Sequence, residues 1–394
     1  MTALENIIRE RIAAQGRITF AEFMEAALYY PGRGYYTSER DRVGAAGDFY
    51  TSPATHPVFA ALIGRQLEQM WRLLGCPASF GVLEMGAGRG PLARDLLGYL
   101  PELSPEFASA VSYAAGEKDS LTVLQGAADF DNITGCIMSN ELLDALPVHR
   151  VTVRGGLLQE IYVTLRGDEL VEALDGPSTP ELAGYLAAAG VELPEGYRTE
   201  INLNIRPWAG EVSRRLSRGF VLTIDYGLPA RHRYSPERRG GTLATCYRHT
   251  SGSNPYIHIG EQDITSHVDF SGAARFGEEK GLDPVCLMPQ RDFLLNLGLD
   301  SYIRTLPRES LSYDEYLANR MAMLELVKPE GLGGFGVLIQ SRAARGEDLY
   351  CLRPDNALKA QDGPAHRAAP LLRDEHTPLL RGKYPHYQSL DGGG

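Results

Sequence analysis

Three glycines at alternating positions, Gly86, Gly88 and Gly90, form the segment of this chain that points most directly to chemistry. They follow a short apolar run that ends in the acid Glu84, and Pro91 then opens a stretch with leucines at helical spacing. This order predicts a buried strand, a glycine-rich turn and a helix. Alternating glycines let a ligand approach the backbone, and the start of a helix offers free amide groups. We therefore expect a ligand here, the alternative being a tight turn without one.

The spacing of the glycines argues against a dinucleotide. The NAD fingerprint needs its third glycine at position 91, where this chain has Pro91. An acid two residues before the first glycine, here Glu84, is instead typical of the loop that binds S-adenosylmethionine (AdoMet) in methyltransferases. Glu117 ends the next predicted strand, where a carboxylate can accept hydrogen bonds from ribose hydroxyls. The alternative for Glu117 is an ordinary surface carboxylate beside Lys118.

A second acidic segment follows the strand predicted at residues 136–139. In the segment 140–147, Glu141 and Asp144 are three residues apart and would share one face if the chain starts a helical turn there. Two carboxylates at the mouth of a cofactor pocket can hold a guanidinium by bidentate hydrogen bonds. The structural alternative is that Asn140 caps the turn and that the acids favour a helix N-terminus.

Two later segments offer further candidates. Asp225 ends another predicted strand and is followed by Tyr226 and glycine. His267 could act as a general base with Asp269 as its orienting acid, although the alternation around it also fits a plain strand with a structural histidine. The predicted catalytic residues are therefore Glu141, Asp144 and His267, and no metal site is predicted.

These residues need a framework that brings strand ends together. Strands and helices alternate along the central part of the chain, which predicts an α/β fold with a parallel sheet and helices on both faces. In such sheets the ligand lies at the carboxyl ends of the strands. Besides the glycine strand, strands are predicted at 110–115, 136–139 and 220–224, and a closing antiparallel hairpin at 335–340 and 349–352.

The predicted organisation has three parts. They are N-terminal helices with a following loop at 1–55, a core at 56–353 with insertions at about 148–205 and 231–299, and a loosely ordered C-terminal tail at 354–394.

The loop at 34–53 is rich in glycine and aromatic residues, and a loop of this length inside a compact domain is more often functional than idle. We interpret it as a lid over the cofactor, with Asp48 reaching a polar group of the cofactor or the acceptor. The alternative is that its aromatic residues only attach the N-terminal helices to the core.

Composition limits the partners and the compartment. The chain has 394 residues and a formal net charge of −11, which excludes phosphate backbones and anionic membrane surfaces as expected partners. Its five cysteines are scattered without a C-x-x-C pair, which is typical of reduced thiols. No apolar run approaches the roughly 18 residues of a membrane span. The first 16 residues lack a signal or transit pattern. These features predict a cytoplasmic protein.

Taken together, the motifs resemble the MidA family (DUF185) of class I AdoMet-dependent methyltransferases. The resemblance covers roughly residues 5–345, and a combination of motifs is more specific than any single one. The matching segments are Gly34-Tyr35-Tyr36, residues 47–53, residues 84–90, residues 140–148 and Asp225-Tyr226-Gly227.

The resemblance implies a Rossmann-like core with a seven-stranded sheet, AdoMet as cofactor and S-adenosylhomocysteine as product. It also implies methyl transfer to an arginine side chain of a protein, because the mitochondrial member of the family is a protein-arginine methyltransferase needed for respiratory complex I assembly. A respiratory-complex subunit is therefore the implied partner. The alternatives are a small-molecule methyltransferase and a non-catalytic AdoMet-binding assembly factor. The predicted cofactor-binding residues are Glu84, Gly86, Ala87, Gly88, Gly90, Glu117, Asn140 and Asp48.

Overall fold

The computed structural model describes residues 2–38, 51–117, 120–127, 129–248, 250–352 and 369–376. The helices of these residues are α1 (Ala3–Gln15), α2 (Phe20–Tyr29), α3 (Ser52–Thr55), α4 (Val58–Leu73), α5 (Pro91–Tyr99), α6 (Pro105–Ala110), α7 (Glu181–Ala188), α8 (Ile205–Arg215), α9 (Ala230–Arg233), α10 (Phe270–Glu278), α11 (Gln290–Asn296), α12 (Leu299–Arg304) and α13 (Tyr313–Glu325). None of them is long and apolar enough to cross a membrane.

The strands of the same residues are β1 (Ile18–Thr19), β2 (Phe80–Met85), β3 (Val111–Glu117), β4 (Ser120–Gln125), β5 (Ile133–Asn140), β6 (His149–Arg154), β7 (Leu157–Arg166), β8 (Glu169–Asp175), β9 (Arg198–Ile201), β10 (Leu216–Asp225), β11 (Gly227–Leu228), β12 (Ala244–Tyr247), β13 (Thr250–Gly252), β14 (Asp263–Thr265), β15 (Val268–Asp269), β16 (Asp283–Pro289) and β17 (Gly336–Arg342).

The central sheet has seven strands in the order β16-β17-β10-β5-β2-β3-β4. The four middle strands β10, β5, β2 and β3 are parallel neighbours, whereas β17 and β4 run antiparallel to the strands beside them. From β2 the chain continues to β3 on one side and later to β5 on the other, so the strand order reverses at β2. The carboxyl ends of β2 and β5 therefore border the crevice where such sheets bind ligands.

The predicted C-terminal hairpin is wrong in its second strand. β17 forms as expected, but it pairs with β10 and β16. Residues 349–352 form a turn instead, in which Leu349 and Cys351 are fully buried. Their apolar alternation reflects burial against the core rather than strand pairing. The true partner, β16, comes from residues that the sequence placed in the second insertion.

Helices cover both faces of the central sheet. One apolar core joins the sheet to helices α4, α5, α6, α11, α12 and α13. A second core joins the opposite face to helices α7, α8, α9 and α10. Burial on both faces explains why β2 and β5 are continuous apolar runs in the sequence.

A smaller antiparallel sheet, with β1, β7, β6 and β9 in order and β8 beside β7, carries the N-terminal helices. α1 and α2 bury their apolar sides in a third core that includes Val163 of β7 and Ile264 of β14. Thr19 is the N-cap of α2, because its side chain accepts the N–H of Glu22 and the Glu22 carboxylate accepts the N–H of Thr19. This cap fixes the start of α2 beside the central sheet.

Residues 369–376 lie against α5, the helix that follows the glycine turn. Asp95 of α5 is buried and is paired with both Arg373 and His376, whose Nε2 lies 2.8 Å from the carboxylate. The N–H of Leu372 donates to Oδ1 of Asn319 at 2.8 Å. The end of the described chain is thus attached to α5 and α13.

Candidate functional site

The glycine loop lies at the carboxyl end of β2, at the point where the strand order reverses. Gly86, Gly88 and Gly90 have φ values of 75°, 56° and 72°, which residues with a side chain rarely adopt. A Cβ atom at Gly86 would lie 2.8 Å from the side chain of Leu142, whereas a Cβ atom at Gly88 would meet nothing within 4 Å. The N–H of Gly90 donates to the carbonyl of Ala87 at 2.9 Å. The loop is therefore packed on one side and open at Gly88.

Glu117 lies at the open side of this loop. The N–H of Gly88 donates to Oε1 of Glu117 at 2.7 Å. Burial raises the pKa of Glu117, and the hydrogen bond from Gly88 lowers it in part. The structure thus places the carboxylate at the end of β3 beside the glycine loop. A carboxylate that binds a ribose next to such a loop must lie there.

Glu84 lies below the loop rather than in it. It is 4% exposed, and the hydroxyl of Tyr113 on β3 donates to its Oε2 at 2.5 Å. Burial raises the pKa of Glu84 to about 7. This contact joins the end of β2 to β3 inside the core. A direct contact between Glu84 and a cofactor stays a prediction.

Residues 141–146 form a turn, so the helical turn predicted after Asn140 is wrong. Glu141 has a φ of 52°, a left-handed value that a right-handed helix does not allow. The N–H groups of residues 142–144 instead donate to Oδ2 of Asp225 at 3.2, 2.8 and 3.3 Å. The carboxylate of Asp225 takes the place of the carbonyls that a helix would supply.

Asp225 is a positioning residue for this turn. It ends β10, is fully buried, and also accepts the N–H of Tyr226 at 2.9 Å through Oδ1. The amide of Asn202 donates to the carbonyl of Leu143 at 3.1 Å, and the hydroxyl of Tyr29 donates to the carbonyl of Ala145 at 3.1 Å. Bonds from three separate parts of the chain therefore hold the turn beside the glycine loop.

The turn presents Glu141 and Asp144 in an acidic pocket. Burial, and next the charge of Asp144, raise the pKa of Glu141 to about 8, although the side chain of Asn140 donates to it at 2.9 Å. Burial likewise raises the pKa of Asp144 to about 6, against a hydrogen bond from Tyr226. Close carboxyl groups cannot all ionise without a counter-charge. The predicted pair is therefore brought together in a pocket that favours a cation.

Two acceptor atoms of this pocket have no donor among the described residues. They are Oδ1 of Asp144 and Oδ1 of Asn140, both of which are closed off from solvent. A buried acceptor without a partner costs about 1–3 kcal/mol, and more when the group is charged. A ligand with several N–H donors would satisfy both atoms.

Sequence reasoning missed Asp263 and the tyrosines that face it. Asp263 on β14 is 4% exposed and accepts the hydroxyl of Tyr36 at 2.9 Å. The ring of Tyr36 stacks on Tyr29 with centroids 5.4 Å apart, and the charge of Asp263, after burial, raises the pKa of both hydroxyls. More than 200 residues separate Tyr36 from Asp263, so no local spacing could have connected them. The only sequence signal for this group was that Tyr36 belongs to the segment Gly34-Tyr35-Tyr36, which matches the MidA family.

His267 lies next to the acidic pocket but does not have the predicted partner. Its ring packs edge-on against Tyr226, with centroids 5.6 Å apart, and its Nδ1 has no partner among the described residues. Burial, and next the charge of Arg233, lower the pKa of His267 to about 4. Asp269 does not orient it, because that carboxylate caps α10 and accepts the hydroxyl of Tyr185. His267 is thus a neutral side chain beside Tyr226, and its catalytic role stays a prediction.

Asp48 and most of the loop interpreted as a lid fall at residues 39–50, outside the described residues. Of the described part, Tyr35 is 2% exposed and its ring packs against Tyr36. The contacts of Tyr35 and Tyr36 agree with the alternative to a lid, namely that the aromatic rings attach the N-terminal helices to the core. The lid stays a prediction.

Comparison with known proteins identifies the same cofactor. Residues 62–288 match a family described as "Putative S-adenosyl-L-methionine-dependent methyltransferase". The chain is also similar to the crystal structure of a candidate methyl transferase from Burkholderia thailandensis bound to S-adenosyl-homocysteine. The two share 30% identity and a TM-score of 0.78 over 89% of this chain and 94% of that one. A second crystal structure from that organism, of an uncharacterized protein, has 29% identity and a TM-score of 0.72. The predicted fold class and cofactor are confirmed.

Curated relatives correct the predicted compartment. The chain is 28% identical over 324 residues, 71% of each chain, to "Protein arginine methyltransferase NDUFAF7 homolog, mitochondrial" of Drosophila melanogaster. It is 26% identical to the Homo sapiens protein of that name, over 75% of this chain and 73% of that one. Both relatives are named as mitochondrial, so the prediction of a cytoplasmic location is contradicted. The absence of a transit pattern near the first residue was not a sound basis for it.

Proposed function

Because the chain belongs to this family of S-adenosyl-L-methionine-dependent methyltransferases, we propose that it transfers the methyl group to the guanidinium of an arginine side chain in a protein. The observation that carries the acceptor assignment is the pocket of Glu141 and Asp144, in which two buried acceptor atoms lack a donor among the described residues. A guanidinium carries a positive charge and five N–H donors in one plane. It therefore matches both the charge and the hydrogen-bonding capacity of the pocket.

The glycine loop and Glu117 would hold the cofactor in this proposal. The open side of the loop at Gly88 leaves room for a bound molecule, and the Glu117 carboxylate already lies at that side. When bound, AdoMet supplies an activated methyl group on a sulfonium. The remaining task of the chain is to position the acceptor in line with it and to exclude water.

Glu141 and Asp144 would orient the acceptor and take up its proton. Asp225 and the turn 141–146 hold both carboxyl groups in place. A guanidinium in the pocket would offset the burial that raises the pKa of both carboxyl groups, and at Glu141 also the charge of Asp144. As the methyl arrives, the nitrogen must lose a proton, and a carboxylate in hydrogen-bond contact can accept it. The stacked rings of Tyr29 and Tyr36 would form one wall of the pocket.

The identity of the protein substrate is a further part of the proposal. The relatives are named protein arginine methyltransferases, which supports an arginine of a protein over a free metabolite. The resemblance to the MidA family adds a respiratory-complex subunit as the proposed partner.

Labelled methyl transfer tests the proposal. The purified full-length protein is incubated with methyl-tritiated AdoMet and a lysate of its native cell, which is then separated into protein and small-molecule fractions. We expect label in the protein fraction and methylarginine after acid hydrolysis, detected by mass spectrometry. Label in the small-molecule fraction would show the alternative of a metabolite methyltransferase. AdoMet binding without any transfer would show the non-catalytic alternative. Gly88→Val serves as the control that lacks cofactor binding.

A further inference from the structure

A small cavity lies among helices α7, α8 and α10. Its volume is about 220 Å³, and its lining includes Glu181, Tyr185, Leu203, Arg206, Arg275 and Phe276. None of these residues belongs to the glycine loop or the acidic pocket. The volume lies below the range of roughly 300–1,000 Å³ that is usual for drug-sized ligands, so only a small molecule would fit.

The side chain of Arg275 gives this cavity an uncompensated charge. Its Nε and Nη2 are closed off from solvent and have no acceptor among the described residues. The guanidinium packs over the rings of Tyr185 and Phe276, 5.4 and 5.2 Å from their centroids. Ring contacts of this kind compensate only part of the cost of removing a cation from water. The charge is shared among three nitrogens, so an anion need not contact Nε or Nη2 to stabilise the group.

The other charged groups of the cavity define which anion would fit. Arg206 also packs over Phe276, at 4.8 Å, but it already pairs with Glu279 at 3.2 Å. Glu181 lines the same cavity and would repel a second negative charge. One cation without an acceptor in the described part of the chain, and one opposing carboxylate, favour a monoanion over a phosphate dianion. The walls formed by Leu203 and Phe276 favour an apolar body.

We propose that this cavity binds a small monocarboxylate with a flat apolar body, with its carboxylate on Arg275. The carboxylate would pair with the guanidinium through charge-assisted hydrogen bonds. The rings that already stack on Arg275 would continue along the apolar body of the ligand. This site is separate from methyl transfer, and the proposal does not depend on the identity of the methyl acceptor.

Benzoate is the probe that tests the site, and benzamide is its uncharged match in shape. Titration calorimetry uses the full-length protein saturated with S-adenosylhomocysteine, so that the cofactor site is filled. We expect benzoate to bind and benzamide to bind at least about tenfold more weakly, since the charge-assisted hydrogen bonds are lost. No heat from benzoate, or equal affinity for both probes, would overturn the proposal.

Two variants separate a ligand site from a structural arginine. Arg275→Met keeps much of the packing on the rings, so we expect its melting temperature without ligand to equal or exceed that of the parent. We expect it to bind benzoate at least about tenfold more weakly. Glu181→Gln should bind benzoate several-fold more tightly, because a repelling charge is removed. A fall in melting temperature for Arg275→Met with unchanged benzoate affinity would show that Arg275 serves the fold alone. No gain in benzoate affinity for Glu181→Gln would overturn the preference for a monoanion, because Glu181 would then not repel the bound charge.

Discussion

Glu141→Gln is the most informative single change in the acidic pocket. The substitution preserves the shape of the side chain and one carbonyl oxygen, so the hydrogen bonds from Asn140 and from the N–H of Ser52, at 2.9 and 3.4 Å, can persist. It removes the charge that a guanidinium would pair with. The turn itself depends on Asp225 and is expected to stay in place.

The size of the effect on catalysis follows from the loss of a charged contact in a buried site. Removal of one such contact typically costs about 2.7–4 kcal/mol in the transition state, and each 1.36 kcal/mol is about tenfold in rate. We therefore expect kcat/KM to fall by about 100- to 1000-fold. The affinity for AdoMet should change little, because the glycine loop and Glu117 are untouched. A fall in cofactor affinity of the same size would place Glu141 in the cofactor site instead.

The same change should remove one step of the pH profile. The raised pKa of Glu141, about 8, means that much of the free enzyme is protonated there at pH 7 and must lose this proton to bind a cation. The kcat/KM of the parent, which reports on the free enzyme, should rise as the pH approaches 8. Glu141→Gln should lack that rise.

The effect on stability has the opposite sign. Because the pKa of Glu141 is raised from its ordinary 4.5 to about 8 in the folded chain, its contribution to stability falls as the pH rises between these values. At pH 7 the cost is on the order of 3 kcal/mol. Glu141→Gln should therefore melt at the same or a higher temperature than the parent at pH 7. Asp225→Asn is the contrasting variant, because it weakens the acceptor of three N–H groups and should lower the melting temperature.

Methyl transfer to an arginine peptide, read by mass spectrometry from pH 6 to 9, provides the kinetic data, and scanning calorimetry the melting temperatures. Glu102→Gln, at an exposed position, is the matched control and should leave both unchanged. A Glu141→Gln enzyme with the parent's rate and pH profile would refute the assignment and move the acceptor site away from this turn.

Two further variants test other parts of the structure. Gly88→Val should abolish AdoMet binding in calorimetry, since the side chain fills the open side of the loop. Gly167→Val is the control, because Gly167 has a similar φ of 59° and also nothing within 4 Å of an added Cβ, and it should bind AdoMet normally. Equal AdoMet affinities of the two variants would show that the cofactor does not bind at the glycine loop. Asp95→Asn should lower the free energy of unfolding by on the order of 3 kcal/mol, because the buried side chain then loses its ion pair with Arg373 and the charge to which His376 is hydrogen-bonded. The pKa of Asp95 is lowered, so in the parent this contribution is present at neutral pH and is lost below about pH 4. Asp300→Asn breaks an exposed pair with Arg304 and should change stability by less than about 1 kcal/mol. Similar values for these two aspartate variants would mean that the C-terminal segment does not stabilise the fold.

The fold was largely predictable because its signals are local. The apolar runs of β2 and β5, the glycines between β2 and α5, and the capping box at Thr19 each lie within about ten consecutive residues. Parallel strands buried on both faces leave continuous apolar runs that need no knowledge of their neighbours. The failed hairpin at 349–352 shows the limit of this reasoning, because burial in a turn leaves the same apolar signal as a short strand.

The chemistry of the site was predictable only in part, because its groups meet through the tertiary structure. The sequence placed Glu141 and Asp144 together, but by a helical spacing that the turn does not have. The actual cause of their proximity is Asp225, which is more than 80 residues away and replaces the helical carbonyls with one carboxylate. Asp263 joins the same pocket from a three-residue strand without any pattern of its own.

The accumulation of acids in one buried pocket supports the proposed cationic ligand. Four carboxyl groups, those of Glu141, Asp144, Asp225 and Asp263, interact closely enough to perturb one another. Asp225 has backbone donors for both of its oxygens, and Asp263 has Tyr36 and the N–H of Ile264. Asp144 keeps one oxygen for which the described part of the chain supplies no donor. Asp225 and Asp263 thus have donors within the protein, whereas Asp144 keeps an acceptor atom that the proposed ligand would satisfy. A stabilising role would require the reverse, so the unpaired carboxylate is better explained by an acceptor that brings its own charge and its own N–H donors.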